Sequence, residues 1–89
     1  VKVRFFAHIR DYTGTKEIYC GHCQTLKDLL EKLSEQYGKN FQAKVFQGEN
    51  LSSEVVIMVN GRHVAHLAGL ATKLNENDDI SIFPVLGGG

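Results

Sequence analysis

The chain contains no tryptophan, one proline and two cysteines in 89 residues, and each shortage removes a class of structure. Two cysteines cannot build the multi-disulfide framework of small secreted domains, so stability must come from an aliphatic core. There is no Pro-rich or low-complexity stretch to serve as a linker. A chain of 89 residues holds one core rather than two, since separate cores rarely form below about 50 residues each. Neither sign of charge is in excess, with ten Lys and Arg against ten Asp and Glu, which leaves no basic surplus to draw phosphate backbones or anionic lipid. Long apolar runs are missing as well. The longest, Val55–Val59, falls far short of the roughly 18 residues that cross a bilayer, and the first residues lack a basic start, apolar segment and small-residue cleavage site. Nucleic acid and membrane are therefore disfavoured as partners, and a cytoplasmic location is expected.

What is present is patterned. Residues 1–7 alternate, with Val1, Val3, Phe5 and Ala7 on one face and Lys2, Arg4 and Phe6 on the other, the period of a half-buried strand. Turn residues at 11–14 lead into a second alternating stretch at 16–20, with Ile18 and Cys20 on one side, so an antiparallel hairpin with a longish loop is expected. Thr25 offers an N-cap oxygen with Asp28 three residues on, a capping-box pattern. Leu26, Leu29, Leu30, Leu33 and Tyr37 then recur at helical spacing, and Gly38 is expected to end the helix in the left-handed conformation.

Residues 41–50 show no clear period and read as irregular chain anchored by Phe41, Val45 and Phe46. Residues 54–59 read as a central strand, Asn60-Gly61 as a type I′ turn, and residues 62–65 as its return strand. Leu67, Leu70 and Leu74 are expected to anchor a long connection to a last strand at 80–84. This order predicts an α+β domain, a mixed sheet of four to five strands with one main helix on one face and the first and last strands parallel at its centre. The domain is expected over residues 1–84 and a Gly-rich tail over 85–89.

The tail is Val85, Leu86, Gly87, Gly88 and Gly89. Folding supplies no reason for three glycines after the last strand, but a segment without Cβ atoms can lie extended in a narrow channel. From Pro84 onward the chain reaches at most about 20 Å. Such a tail suits carboxyl activation: the α-carboxylate attacks the α-phosphate of ATP, and the acyl adenylate passes its acyl group to sulfur or to an amine. The bland alternative is an ordinary frayed terminus.

Residues 3–14, the Val59-Asn60-Gly61-Arg62 hairpin, and Asp78-Asp79-Ile80-Ser81-Ile82-Phe83-Pro84 leading to terminal glycines together resemble the ubiquitin-like sulfur carriers, above all the small subunit of molybdopterin synthase. That family commonly ends Phe-Pro-Pro-Val-x-Gly-Gly. Here the second proline is absent and a glycine is added, while Gly88 and Gly89 still align with the terminal pair.

The resemblance implies a β-grasp fold and a Gly89 that is adenylated and converted to a thiocarboxylate, with Gly88, Gly87, Leu86 and Pro84 read by the partner. It implies a carrier that is no enzyme on its own and binds no cofactor, ATP being consumed by the activating enzyme. The implied partners are a ubiquitin-activating-type adenylating enzyme, the large subunit of molybdopterin synthase and a sulfur donor protein. Two alternatives stand beside it: a ubiquitin-like modifier or a sulfur donor for tRNA or another cofactor, and a plain interaction domain with an inert tail.

Alternation also sends Phe6, Met58 and Phe83 to the sheet face away from the helix, where a clustered apolar patch would serve as a docking surface. Cys20-Gly21-His22-Cys23 invites a redox or zinc reading with His63 and His66 as further ligands. A β-grasp order sets those two groups toward opposite sheet edges, so no metal site is expected and the thiols read as idle or buried. His8 near Asp11 reads as a surface histidine. Replacing both thiols, Cys20→Ser with Cys23→Ser, is accordingly expected to leave sulfur transfer at the parent rate. A folded double variant that no longer yields thiocarboxylate in a reconstituted assay would contradict this.

Overall fold

In the computed structural model, which describes residues 1–85, the strands expected from alternation form one five-stranded sheet. Its members are β1 (Lys2–Phe5), β2 (Glu17–Tyr19), β5 (Val55–Val59), β6 (Arg62–His63) and β7 (Asp79–Pro84). A separate small hairpin holds β3 (Phe46–Gln47) and β4 (Asn50–Leu51). The sheet order is β2-β1-β7-β5-β6. β1 and β7 lie parallel, pairing Val3 with Ile80 and Phe5 with Ile82, and the remaining pairs are antiparallel. A mixed sheet with the first and last strands parallel at its centre and a helix across one face is the β-grasp arrangement.

The helix α2 (Leu26–Tyr37) starts where its cap is encoded. Asp28 N–H donates to Thr25 Oγ1 and Thr25 N–H donates to Asp28 Oδ2, each at 3.2 Å. Such a cap contributes about 1 kcal/mol. Leu26, Leu29, Leu30 and Leu33 are fully buried and meet Val3, Phe5, Ile57, Ile80 and Ile82 from the sheet in one core. Pro84 sits where a central strand tolerates it. Val85 N–H points to β5, donating to Glu54 O at 2.9 Å, so the nitrogen of Pro84 faces the β1 side, where β1 has already ended at Phe5.

Several short elements differ from the sequence reading. The expected loop after β1 contains α1 (Ile9–Thr13), closed by Gly14 at φ +73°, because burying Ile9 completely draws the chain back onto the sheet. The stretch read as irregular forms α3 (Lys39–Val45) and the β3–β4 hairpin. Phe41 is its anchor, packing edge-on against Phe5 with ring centroids 6.3 Å apart. Gly38 ends α2, but at φ +98°, ψ −174°, a positive-φ conformation outside the left-handed helical region that glycine adopts without a Cβ clash, and it serves also as the cap of α3. The return strand after Asn60-Gly61 is only β6. It gives way to a 3-10 turn at Val64–His66 that buries Val64, and Leu67, expected in the core, is instead 39% exposed.

Asn60 and Gly61 both have positive φ, +52° and +80°, as a type I′ turn demands. The turn is also tied to the start of β7. Asn60 Nδ2 donates to Asp78 Oδ1 at 2.8 Å, Asn75 N–H donates to Asp78 Oδ2 at 2.8 Å, and Asp79 N–H donates to Asn60 Oδ1 at 2.9 Å. Asp78 is buried, so removing its carboxylate takes the acceptor from two part-buried donors, Asn60 Nδ2 and Asn75 N–H. Asp78→Ala is expected to lower the unfolding free energy by about 3 kcal/mol, the scale of hydrogen bonds to a charged group plus the desolvation left behind. A shift of the urea midpoint equivalent to less than about 1 kcal/mol would show that this node matters little.

Candidate docking face and tail root

Among the described residues no helix covers the sheet face opposite α2, and strand register arranges its side chains in rows. One row runs Glu17, Arg4, Ser81, Met58, His63 across the five strands. In the next, Val56 pairs with Phe83, and Phe6 lies beside Phe83 because its N–H donates to Ile82 O at 3.0 Å. The rings of Phe6 and Phe83 stack with centroids 4.2 Å apart at an interplanar angle of 13°. Such a pair contributes about 0.5–1.5 kcal/mol beyond its burial. Phe6, Val56, Met58 and Phe83 are all half-buried, a contiguous apolar strip that offers one face to solvent.

The structure therefore brings Phe6, Met58 and Phe83 onto one surface. Val56 belongs with them and went unnoticed in the sequence, although it shares the parity of Met58.

The strip lies close to Val85, the last of the described residues. The Val85 bond to Glu54 is, among the described residues, the last backbone bond toward β5, and the Glu54 side chain pairs with Lys44 Nζ at 3.6 Å. Pro84, expected to be read by a partner, is the buried last residue of β7. Leu86, Gly87, Gly88 and Gly89 lie outside the described residues.

The remaining candidates separate. Cys20 follows β2 at one sheet edge while His63 belongs to β6 at the other, so the cysteine and histidine groups do not meet. Among the described residues no three His, Cys, Asp or Glu side chains converge as a metal site. Burial raises the Cys20 thiol above its ordinary pKa, with Lys32 opposing, which keeps it protonated and a poor nucleophile at neutral pH. Cys23 is buried. His63 Nδ1 accepts from Ala65 N–H at 3.0 Å and caps the turn in which His66 lies edge-on to it, 5.7 Å between ring centroids. His8 is exposed and makes no side-chain cap bond to α1. Among the described residues no helix is long and apolar enough to cross a membrane.

Comparison with known proteins places the chain among relatives of this architecture. The model of the ThiS family matches residues 3–89. Small archaeal modifier protein 3 of Haloferax volcanii is 34% identical over 91 residues, covering 100% of this chain and 98% of that protein. The solution structure of small archaeal modifier protein 1 from Methanosarcina acetivorans is similar at 30% identity with a TM-score of 0.86, covering 99% of this chain and 94% of that one. A Pyrococcus furiosus chain given the provisional name molybdopterin converting factor, subunit 1, is 29% identical with a TM-score of 0.72, covering 96% and 95% of the two chains.

Proposed function

Because the chain belongs to the ThiS family, whose relatives here are ubiquitin-like sulfur carriers and modifiers, we propose that its working group is the carboxyl of Gly89. In this reading Gly89 is adenylated by a ubiquitin-activating-type enzyme, converted to a thiocarboxylate, and donates its sulfur in molybdopterin assembly, the chain acting as small subunit of the synthase. The observation that carries the reading is the end of β7. Its last bond toward β5 among the described residues, at Val85, lies beside the apolar strip, and Leu86 and three glycines follow in the sequence. A partner seated on Phe6, Val56, Met58 and Phe83 would hold the sheet while its active site takes the residues beyond Val85, which span at most about 14 Å.

The chemistry is one activation and one exchange. The Gly89 carboxylate oxygen attacks the α-phosphorus of ATP, expelling pyrophosphate and leaving an acyl adenylate. A persulfide from the sulfur donor protein displaces AMP to give an acyl disulfide, and a second thiol then attacks the donor's sulfur, leaving the Gly89 thiocarboxylate and a thiol-derived disulfide. When sulfur is delivered to the pterin precursor, water at the acyl carbon restores the carboxylate. This chain supplies the acyl group and its presentation, and ATP is held by the activating enzyme.

A second reading is favoured by the names of two relatives, the archaeal modifier proteins. There the activated acyl group is attacked by a lysine amine, forming an amide and expelling the activating group. Sulfur donation to tRNA shares the first steps and differs only in the acceptor.

Tail geometry gives the direct test. Deleting Gly89 withdraws the carboxyl by up to about 3.6 Å, whereas a misplacement of about 1 Å already costs on the order of 100-fold in rate. Deletion of Gly89 and addition of Ala after it are each expected to cut ATP-dependent adenylation at least 100-fold. Gly88→Ala should be severe and Gly87→Ala mild, since the family's aligned position accepts a side chain. Parent-like rates in both the shortened and the lengthened chains would sink the reading. For the docking face, Met58→Arg should leave the melting curve unchanged while weakening the complex with the adenylating enzyme by about 2 kcal/mol or more, as for a central hot spot. Equal affinity measured by calorimetry would reduce the strip to ordinary surface.

A further inference from the structure

The strip has a charged flank on one side. Arg4, Arg10 and Lys16 line a shallow hollow of about 220 Å³ together with Phe5, Phe6 and Glu17. All three cations are exposed, yet the fold holds their backbones close together. Phe5 N–H donates to Lys16 O at 2.8 Å, which brings Lys16 against the end of β1. Arg10 Nε donates to Phe5 O at 2.9 Å, which fixes the guanidinium at the rim and leaves its two terminal amino groups to act as a fork.

The local acid does not balance them. Glu17 is engaged by Lys2 Nζ at 3.4 Å, and Asp11, exposed on α1, is not part of the lining. Among the described residues none of Arg4, Arg10 and Lys16 makes an ion pair. A chain with no net charge thus concentrates positive charge beside Phe6, while Glu76, Asp78 and Asp79 gather at the start of β7, the opposite end of the strand from Phe83. Three like charges around one hollow repel one another, and a carboxylate entering it relieves that repulsion while accepting hydrogen bonds from the Arg10 fork.

We propose that this hollow receives an acidic segment of the adenylating enzyme, one or two Asp or Glu side chains that enter beside Phe6 when the enzyme covers the apolar strip. The inference rests on the carrier reading above and adds to it what the enzyme must present: an apolar surface for Phe6, Val56, Met58 and Phe83, edged by carboxylates on the β1 side only. The contact fixes orientation, because turning the enzyme about the strip would set its carboxylates near His63 instead. Rim charges act chiefly on the association rate and are screened by salt, so binding should fall as ionic strength rises.

The test uses the full chain and the adenylating enzyme encoded in the same genome. Association rate and affinity are measured at low and high NaCl for the parent, for Arg4→Glu with Lys16→Glu, and for Lys27→Glu with Lys73→Glu, an equal charge change at exposed lysines away from the sheet face. The first pair is expected to weaken binding at least tenfold at low salt, mainly through the association rate, and to flatten the salt dependence. The second pair should stay within about twofold of the parent, since charges away from the contact are screened beyond a Debye length.

Equal weakening by both pairs would replace the hollow with general steering and overturn the proposal. So would a first pair that binds and is adenylated like the parent, an outcome that leaves the carrier reading intact. A parent chain that is never adenylated removes the carrier reading itself, and the hollow's enzyme partner with it. Parent binding to tRNA that the first pair abolishes, with enzyme binding unchanged, would assign the hollow to nucleic acid and overturn the acidic protein segment.

Discussion

The parallel pairing of β1 with β7 is the constraint on which the rest depends. It places the first and last strands of the described chain side by side at the centre of the sheet, registered from Lys2 with Asp79 to Phe5 with Ile82. Because the strands run the same way, their ends coincide: Phe6 leaves β1 where Phe83 follows in β7, and their rings stack. Val85, where the described chain ends, the aromatic pair and the cationic hollow all lie at that one end of the sheet. An antiparallel arrangement of the same strands would set the aromatic rings at opposite ends.

The two faces of the sheet divide the work. Toward α2, odd residues of β1 and β5 and even residues of β7 are buried with the helix leucines, and this face carries the stability. Among the described residues the other face has no helix over it, and its apolar residues are half-buried, Phe6 stacked on Phe83. On the function proposed above, substitutions there are expected to alter binding more than folding. The Asn60–Asp78 node links the two roles, since it holds the β5–β6 turn against the start of β7 and so keeps Met58 in register with Ser81 and His63.

Much of this was legible before folding where one residue's environment repeats with a period. The parity of Val3, Phe5, Val55, Ile57, Ile80 and Ile82, the leucine stripe of α2, the Thr25–Asp28 cap and the Asn60-Gly61 turn depend on neighbours within a few positions, and each appears as read. The same parity pointed to Phe6, Met58 and Phe83. Elements as short as α1, α3 and the β3–β4 hairpin exist because Ile9, Phe41 and Val45 find a core made by distant strands, and nothing local announces them. The hollow was hidden for a similar reason. Arg4, Arg10 and Lys16 meet only after α1 has folded back and the β1–β2 ladder has formed.

The proposed chemistry is at the carboxyl of Gly89, and the intact mass of the protein isolated from its own cell tests that proposal most directly. A fraction of molecules in which one oxygen is replaced by sulfur, with the change mapped by fragmentation to Gly89, is the expected finding, together with its loss when the adenylating enzyme is deleted. A protein whose terminal residue is always a plain carboxylate, with neither sulfur nor any lysine joined to Gly89, would contradict carboxyl activation as its function.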